Sequence, residues 1–397
     1  MKHRHTDTFH ILVSPDKFKG SIDAPAAARA IHDGMVESSL SQALGRQLRV
    51  TTLPVADGGE GTVDVVVAGG ATRRWSTARG PEGADVLAAW ALHGRRAVIE
   101  VASTCRLGYV APSPRSALCA STDGTGDLIK TALAAHADQL VIGIGGTAST
   151  DGGVGALRAL GVRFLDARGT NVLGGGGALS TIRHIDASGL DPRLRHATVT
   201  VACDVAVPLC GPSGAAQLFS PQKGADTAAV RTLEEGLLHL AALIAADLGV
   251  DVLDVPWGGA GGGIAAGLHG VLGARFEHGI DLVADIVDLD THMASADLVI
   301  VGEGSLDRQS LHGKAVAGVA RRARARRIPV AAIAGRITLS ADELAELGVV
   351  STVSLADEAG SAEESMREPE HWLRSAGRIL AGRLLDNEQI FTPGLRT

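Results

Sequence analysis

The sequence HILVSPDKFKGSID, residues 10–23, joins a short apolar run to a polar, glycine-containing turn and then to an alanine-rich segment of helical character. Residues 49–55, RVTTLPV, begin the same succession again. Further apolar runs lie at 298–302, 330–335 and 349–355, separated by Ala/Arg-rich or Ala/Glu/Leu-rich segments. Short apolar strands that alternate with helices are typical of a parallel sheet with crossover helices. We therefore predict a doubly wound α/β unit with five strands.

The middle of the chain has a different pattern. Candidate strands at 73–75, 86–92 and 96–101 follow one another closely across glycine-containing turns, which favours antiparallel hairpins. Alternating helix and strand candidates then continue to residue 203. We interpret residues 71–290 as a mixed-sheet α/β domain inserted into a discontinuous parallel-sheet domain made of residues 1–70 and 291–397. A cleft between two such domains is a common ligand site.

The composition excludes several classes of protein. With 45% hydrophobic and 20% charged residues, the 397-residue chain has enough apolar surface for real cores and is not a disordered protein. A formal net charge of −7 argues against nucleic acid as the main partner, because phosphate neutralisation needs a basic excess. The basic run RRARARR at 321–327 is then better read as a solvated helix face.

Three further features of the sequence predict where in the cell the protein is located. The four cysteines include no C-x-x-C pair and are too sparse for a disulfide framework. The N-terminal apolar stretch is too short for a signal peptide, and no apolar run reaches the length of a membrane span. We expect a cytoplasmic protein that binds neither membranes nor nucleic acid.

Polar, glycine-rich loops follow the first two predicted strands, where ligands bind in α/β folds. Residues 14–21, SPDKFKGS, offer a carboxylate and two lysines suited to an anion. Residues 55–62, VADGGEGT, can fold tightly around a small ligand, and the helix amides just beyond are expected to hold a phosphate or carboxylate. The alternatives are a helix N-cap and a plain Asp-Gly turn. The candidate residues are Asp16, Lys17, Lys19, Asp57, Gly58, Gly59 and Glu60.

Four later segments have the same character. Residues 143–153, GIGGTASTDGG, place amides and hydroxyls at a helix entrance, as an anion nest or only as a sharp chain reversal. An aspartate ends the strand at 198–203, and PQKGA follows at 221–225. The carboxylates of 302–307, GEGSLD, suit Mg²⁺ or else cap helices. The candidate residues are Gly145, Gly146, Thr147, Asp151, Asp204, Lys223, Glu303, Asp307 and Lys314.

Several well-known catalytic motifs are missing from the sequence. It contains no P-loop, no dinucleotide-binding fingerprint after a strand, no H-E-x-x-H, no nucleophile elbow and no protein-kinase signature set. Repeated Gly/Asp loops with scattered lysines favour phosphoryl transfer to a small anion, since that reaction needs positioning and charge neutralisation more than covalent catalysis.

Seven motifs in chain order resemble those of the bacterial class I glycerate kinases. They are PDKFKGS at 15–21, ADGGEGT at 56–62, GTGDLI at 124–129, GIGGTASTDGG at 143–153, ACDV at 202–205, PQKGA at 221–225, and GEG, Asp and GK between 302 and 314. The similarity runs from about residue 11 to 355. It departs from the family at Thr147, Ser149–Thr150 and Ser310, where a hydroxyl is kept or only an amide is lost.

The resemblance implies an enzyme that uses ATP to phosphorylate D-glycerate, with 2-phosphoglycerate as the usual product. It also implies a two-domain α/β build of which one part is flavodoxin-like. Lys17, Lys19 or Lys223 would then hold the glycerate carboxylate or the ATP phosphates. One of Asp57, Asp204 and Asp307 would hold Mg²⁺ or accept the hydroxyl proton, and the amides of 143–147 would bind phosphate. Asp16, Lys17, Asp57, Asp204 and Asp307 form the predicted catalytic set, with Asp204 and Asp307 as metal ligands.

Three alternatives remain at this point. The first is a glycerate 3-kinase, which differs only in the hydroxyl phosphorylated. The second is a NAD(P)-dependent oxidoreductase of small hydroxy acids, and the third is a non-enzymatic small-ligand-binding protein. The sequence leaves open which aspartate is the base and whether the protein is a monomer or a homodimer.

Overall fold

A computed structural model describes residues 8–204, 206–311 and 315–386; the predicted site residue Lys314 lies outside the described residues. The strands are β1 (Thr8–Pro15), β2 (Gln47–Thr52), β3 (Thr72–Arg79), β4 (Asp85–His93), β5 (Arg96–Glu100), β6 (Gln139–Gly143), β7 (Arg163–Leu165), β8 (His184–Asp186), β9 (Thr198–Ala202), β10 (Arg275–Glu277), β11 (Leu298–Leu306), β12 (Val330–Ile337) and β13 (Val349–Ser354).

The α-helices are α1 (Ala24–Val36), α2 (Leu40–Leu44), α3 (Thr62–Ala68), α4 (Ala102–Cys105), α5 (Pro114–Cys119), α6 (Asp123–Ala134), α7 (Val154–Ala159), α8 (Ala215–Phe219), α9 (Thr227–Leu248), α10 (Ile264–Leu272), α11 (Gly279–Ile286), α12 (Leu289–Met293), α13 (Ala315–Ala325), α14 (Ala341–Glu346), α15 (Leu355–Ala359), α16 (Ala362–Arg367) and α17 (Pro369–Leu385). Short 3₁₀ helices span Leu107–Tyr109, Gly176–Thr181, Pro192–His196, Pro221–Lys223 and Arg308–Leu311. Within the described part of the chain, no helix has both the length and the apolar character of a membrane span.

The chain divides into two compact units. Unit 1 comprises Met1–Asp57, Asp64–Gly70 and Ile280–Thr397, and unit 2 comprises Gly58–Val63 and Ala71–Gly279. The predicted fold class, α/β with a parallel sheet and a separate mixed sheet, is confirmed. The predicted domain ranges, 1–70 with 291–397 for the discontinuous domain and 71–290 for the inserted one, stay a prediction.

Unit 1 is built on a five-stranded parallel sheet in the order β13-β12-β11-β1-β2. This order is that of flavodoxin-like folds, in which ligands bind beyond the carboxyl ends of the strands where the strand order reverses. Here the reversal lies between β1 and β11, whose last paired residues are Pro15 and Gly302. The five strands predicted for this unit are all present, and β11 continues to Leu306, beyond its predicted end at 302.

Helices α1 and α17 cover one face of this sheet and cross closely. Helix α1 begins at the N-cap Asp23, whose carboxylate accepts a hydrogen bond of 2.7 Å from Ala26 N. Near its other end Gly34 lies against α17, and a Cβ added to Gly34 would stand 2.0 Å from the carbonyl oxygen of Arg374. The buried leucines of α17, among them Leu373 and Leu380, complete the core beneath.

The basic run at 321–327 is engaged in ion pairs within unit 1. Arg321 lies 2.8 Å from Asp281, and Arg322 lies 3.0 Å from Asp281 and 2.9 Å from Asp290. Arg326 also pairs with Asp290, at 3.1 Å. Carboxylates of α11 and α12 therefore offset the positive charge of these three arginines, of which Arg321 and Arg326 are exposed.

Unit 2 contains a six-stranded mixed sheet in the order β10-β9-β6-β5-β4-β3. The pairs β3–β4 and β4–β5 are antiparallel, as predicted, and the remaining pairs are parallel. A separate two-stranded sheet, β7–β8, was not predicted, and neither was β10. Each of these strands has three residues, which is too short for an alternating pattern to show.

Candidate active site

Three carboxylates lie at the carboxyl edge of the parallel sheet in unit 1. Asp16 directly follows β1, and its backbone N–H donates to Gly302 O at 2.8 Å. Glu303 comes next to Gly302 on β11, and Asp57 follows β2, on the other side of β1. Parallel strands bring their carboxyl ends to one edge, so these residues from three neighbouring strands meet there.

Asp16 has the most perturbed environment of the three. Its side chain is buried, with the residue 8% exposed, and Oδ1 accepts a hydrogen bond of 2.7 Å from Lys17 N. Burial raises the pKa of Asp16 to about 7, the negative charges of Asp57 and Glu303 add to the rise, and Lys17 opposes it. A carboxyl group that titrates near neutral pH can take up or release a proton under working conditions.

Lys17, in the first loop, lies beside these carboxylates. Lys17 Nζ stands 3.8 Å from Asp57 Oδ1, and both side chains are partly exposed. Lys19 is exposed, and its backbone nitrogen would be 3.1 Å from a Cβ on Gly304. Glycine at 304 thus lets β11 approach the loop that carries both lysines. The partly exposed ammonium group of Lys17 lies in the same loop as the buried carboxyl group of Asp16.

Asp307 orders its own loop after β11. Its Oδ1 accepts from Gln309 N at 2.9 Å, its Oδ2 accepts from Ser305 Oγ at 3.2 Å, and its own N–H donates to Ser310 Oγ at 3.2 Å. These bonds start the 3₁₀ helix at Arg308–Leu311. The helix-capping alternative therefore describes the carboxylate of Asp307 in this structure.

Two glycine loops of unit 2 touch each other. A Cβ on Gly143 would stand 2.3 Å from Gly58 O, and one on Gly145 would stand 3.0 Å from Gly59 Cα. Side chains at these glycines would separate the loops, so the composition of both motifs is explained by their contact. Gly146, with φ +70°, lies exposed beside them. Loop 58–61 and loop 143–147 therefore form one surface within this unit.

The amides at the start of α3 are bound by the protein itself. Glu100 Oε1 accepts from Val63 N at 2.6 Å, and Oε2 accepts from Gly61 N at 3.3 Å. Glu100 is buried at the end of β5. The expectation that these amides hold a substrate anion is therefore wrong, because an internal carboxylate already fills the position. An acidic residue ending the apolar strand RAVIE was the available sequence signal.

Asp151 is fully buried and fastens the glycine loop to the neighbouring chain. Its carboxylate accepts from Thr122 N at 2.8 Å, from Thr122 Oγ1 at 2.9 Å and from Gly153 N at 3.1 Å. Burial raises its pKa, and these hydrogen bonds oppose the rise. The position supports a role in ordering the entrance to α7 and offers no support for the predicted contact with substrate.

Lys223 lies beneath the same loop. Its Nζ donates to Ser149 O, and to Thr150 Oγ1 at 3.2 Å, and the residue is only 4% exposed. Burial lowers the pKa of Lys223 to about 8, while Cys105 and Asp151 act in the opposite direction. Thr147 is also buried, and its hydroxyl is 3.0 Å from Ser149 Oγ. The predicted anion-binding lysine thus supports the loop from inside.

Asp204 follows β9 in unit 2, where its Oδ1 accepts from Gly279 N at 3.0 Å and lies 3.4 Å from His278 Nδ1. Asp307, the other predicted metal ligand, belongs to unit 1. Among the residues that the structure describes, no group of three or more His, Cys, Asp or Glu side chains forms a ready-made metal cage.

Comparison with known proteins decides the family. The model of the glycerate kinase family matches residues 11–385. The chain belongs to the glycerate kinase family. It is accordingly a phosphotransferase with an alcohol group as acceptor, and the resemblance found in the sequence motifs is confirmed.

Relatives and a solved structure agree over almost the whole length. The glycerate kinase family member of Escherichia coli (strain K12), named glycerate 2-kinase, is 41% identical over 379 residues, which are 94% of this chain and 97% of that protein. The glycerate kinase of Bacillus subtilis (strain 168) is 40% identical over 377 residues, with the same coverage. The crystal structure of the Salmonella typhimurium LT2 protein assigned as glycerate kinase 2 matches with a TM-score of 0.82 and 38% identity, covering 96% of this chain and 100% of that one.

Proposed function

We propose that this chain is an ATP-dependent D-glycerate 2-kinase. Membership of the glycerate kinase family supports the reaction class, and the name of the Escherichia coli relative supports the 2-hydroxyl as acceptor. The observation that carries the proposal is the group of Asp16, Asp57 and Glu303 at the carboxyl edge of the unit 1 sheet. Phosphoryl transfer to an alcohol needs a base for the hydroxyl proton, and this group supplies one.

Asp16 is the proposed base. It must be ionised to accept the proton of the glycerate hydroxyl, and its raised pKa of about 7 makes it a stronger base than an ordinary carboxylate. Lys17, which lies at the same edge, and the exposed Lys19 of the same loop are the proposed cations for the glycerate carboxylate or a phosphate. The proposed base and the lysines that would neutralise the negative charge of the substrate therefore lie in one short segment, 16–19, directly after β1.

The loop of residues 55–62 contains residues of both units. Asp57 is the last residue of its segment of unit 1, and Gly58–Val63 belong to unit 2. We propose that the amides of Gly145 and Gly146 bind ATP phosphate, and that residues of both units act in one reaction, in the interdomain cleft predicted from the sequence. The assignment of Gly58, Gly59 and Glu60 to substrate or phosphate binding stays a sequence-based prediction.

Mg²⁺ is the proposed second cofactor. Mg²⁺ prefers oxygen ligands and is held by one or two protein carboxylates, while waters and phosphate oxygens complete its shell. We propose Asp204 and Asp307, the metal ligands predicted from the sequence, as the protein carboxylates of this ion. In this structure the carboxylate of Asp204 accepts from Gly279 N, and that of Asp307 accepts from Gln309 N and Ser305 Oγ. When bound, the ion would neutralise charge on the transferring phosphoryl group.

The proposal is tested by incubating the purified protein with ATP, Mg²⁺ and D- or L-glycerate and coupling ADP release to NADH oxidation. Phosphorus NMR of the product then identifies the phosphorylated carbon. The expected result is D-glycerate-dependent ADP formation with 2-phosphoglycerate as product. Formation of 3-phosphoglycerate would show that the 3-hydroxyl group, and not the 2-hydroxyl group, is the acceptor. ADP formation independent of glycerate would reject the proposed function. The cytoplasmic location and the choice between monomer and homodimer stay sequence-based predictions.

A further inference from the structure

Arg106 is fixed to the rim of loop 143–147, although no sequence motif includes it. It follows α4 and forms an antiparallel bridge with Thr147. Two backbone hydrogen bonds flank the bridge, from Leu107 N to Gly146 O at 3.1 Å and from Ala148 N to Cys105 O at 2.8 Å. The backbone of Arg106 therefore keeps a constant position relative to the glycines of that loop.

The guanidinium of Arg106 is partly exposed beside the surface that loops 58–61 and 143–147 form in unit 2. Its Nη2 lies 3.3 Å from Glu60 Oε1, and the two side chains are 46% and 49% exposed. Its Cζ lies 5.7 Å from the centroid of the Tyr109 ring, which supports the flat guanidinium from one side. The other oxygen of Glu60 would be 3.9 Å from a Cβ on Gly146. Arginine, carboxylate and glycine loop thus meet at one accessible spot.

The contact with Glu60 shows which chemistry this place accepts. A guanidinium presents a planar fork of donors that matches the two oxygens of a carboxylate or a phosphoryl group. Ion pairs between half-exposed side chains contribute little to stability, so an incoming anion can displace Glu60 at small cost. Lys223, one of the three lysines predicted to hold a substrate anion, is buried and donates to this loop. Arg106 is accessible where Lys223 is not.

We propose that Arg106 binds an anionic oxygen group of a substrate at the rim of loop 143–147, with Glu60 as the carboxylate that the substrate displaces. This inference rests on the proposed function, because it assigns the anion to D-glycerate, through its carboxylate, or to ATP, through a phosphate. Arg106 is then a substrate-binding residue.

The test compares Arg106→Ala and Arg106→Lys with Arg193→Ala. Arg193 is the matched control, since it lies in the same unit, is 44% exposed and pairs with Asp191 at 2.6 Å. Hydrogen bonds between charged groups are worth enough that their loss weakens binding roughly 10- to 100-fold. We expect Arg106→Ala to raise the KM of one substrate by that factor, with a smaller change in kcat. Arg106→Lys should recover part of the loss, and Arg193→Ala should match the wild type.

Binding measurements distinguish the two substrates, and the activity of the wild type distinguishes this inference from the proposed function. Calorimetric titration with D-glycerate alone and with ATP alone shows which Kd rises in Arg106→Ala, and this identifies the anion. Unchanged KM and Kd values for both substrates in folded Arg106→Ala overturn the inference, as does an equal loss in Arg193→Ala. If Arg106→Ala does not fold, the KM values of Arg106→Lys decide, and wild-type values there overturn the inference. A wild-type protein that forms no ADP with glycerate instead rejects the proposed function.

Discussion

Asp16 and Asp57 follow the adjacent parallel strands β1 and β2, and the negative charge of Asp57 adds to the burial that raises the pKa of Asp16 to about 7. Lys17 interacts with both carboxylates. Its Nζ lies 3.8 Å from Asp57 Oδ1, and its positive charge lowers the pKa of Asp16. Such an arrangement keeps a carboxylate buried without a full counter-charge. Enzymes place groups of this kind where protons are transferred, which is why the chemical proposal depends on this pair.

The pH dependence of stability gives a first prediction. Because the pKa of Asp16 is about 7 when folded and 3.8 ordinarily, the folded state favours the protonated carboxyl. Its stabilising contribution is complete below pH 4 and is lost as the pH rises through 7. Asp16→Asn, which is neutral at every pH, should gain stability relative to the wild type between pH 5 and 8, on the order of 2–4 kcal/mol. Urea unfolding at several pH values measures this, and a difference that is constant with pH would contradict it.

Lys223 gives a prediction of the opposite sign. Burial lowers its pKa from 10.5 to about 8, so the folded state favours the neutral amine. The stability that this shift contributes is present above pH 10.5 and is lost as the pH falls through 8. The wild type should therefore become more stable relative to Lys223→Met as the pH rises from 8 to 10. Urea unfolding midpoints of both proteins across this range test the expectation, and parallel curves would count against it.

The crossing of α1 and α17 predicts a strong effect of one methyl group. A Cβ at Gly34 would stand 2.0 Å from Arg374 O, so Gly34→Ala must push the helices apart. We expect a loss of about 1–3 kcal/mol in the free energy of unfolding. Gly382→Ala is the matched control: it lies in α17 with nothing within 4 Å of its Cβ, and should gain about 0.5–1 kcal/mol from helix propensity. Equal unfolding midpoints for the two variants would disprove the close crossing.

Glu100 predicts a stability loss from an internal helix cap. Replacing it with alanine leaves the amides of Gly61 and Val63 without their buried acceptor, which costs about 1–3 kcal/mol. Glu100→Gln keeps one acceptor oxygen and should lose less. The exposed Glu82→Ala serves as control. Thermal or urea unfolding compares the three, and a Glu100→Ala protein as stable as the control would show that the cap contributes nothing.

The parallel sheet of unit 1 was predictable because its central strands β1, β11 and β12 contain short apolar runs, and each of its strands alternates with a segment of helical composition. The same pattern put Asp16, Asp57 and Glu303 in polar segments after predicted strands; their grouping at one sheet edge comes from the strand order of the structure. Strands β7, β8 and β10 escaped prediction because three residues carry no period. Glu100 and Arg106 were missed for another reason. Their partners are Gly61, Val63, Glu60 and Thr147, roughly forty residues away, and only tertiary packing brings them together.

The central claim, that Asp16 accepts the proton of the glycerate hydroxyl, is tested most directly by the pH profile of kcat/KM for D-glycerate. Three proteins are compared: the wild type, Asp57→Asn and Asp16→Asn. The wild type should gain activity with rising pH, with an apparent pKa near 7. Asp57→Asn should move this limb to lower pH by removing a negative charge, and Asp16→Asn should lose at least about 100-fold at pH 8. An Asp16→Asn enzyme within about threefold of the wild type, with the limb unmoved in Asp57→Asn, would contradict the claim.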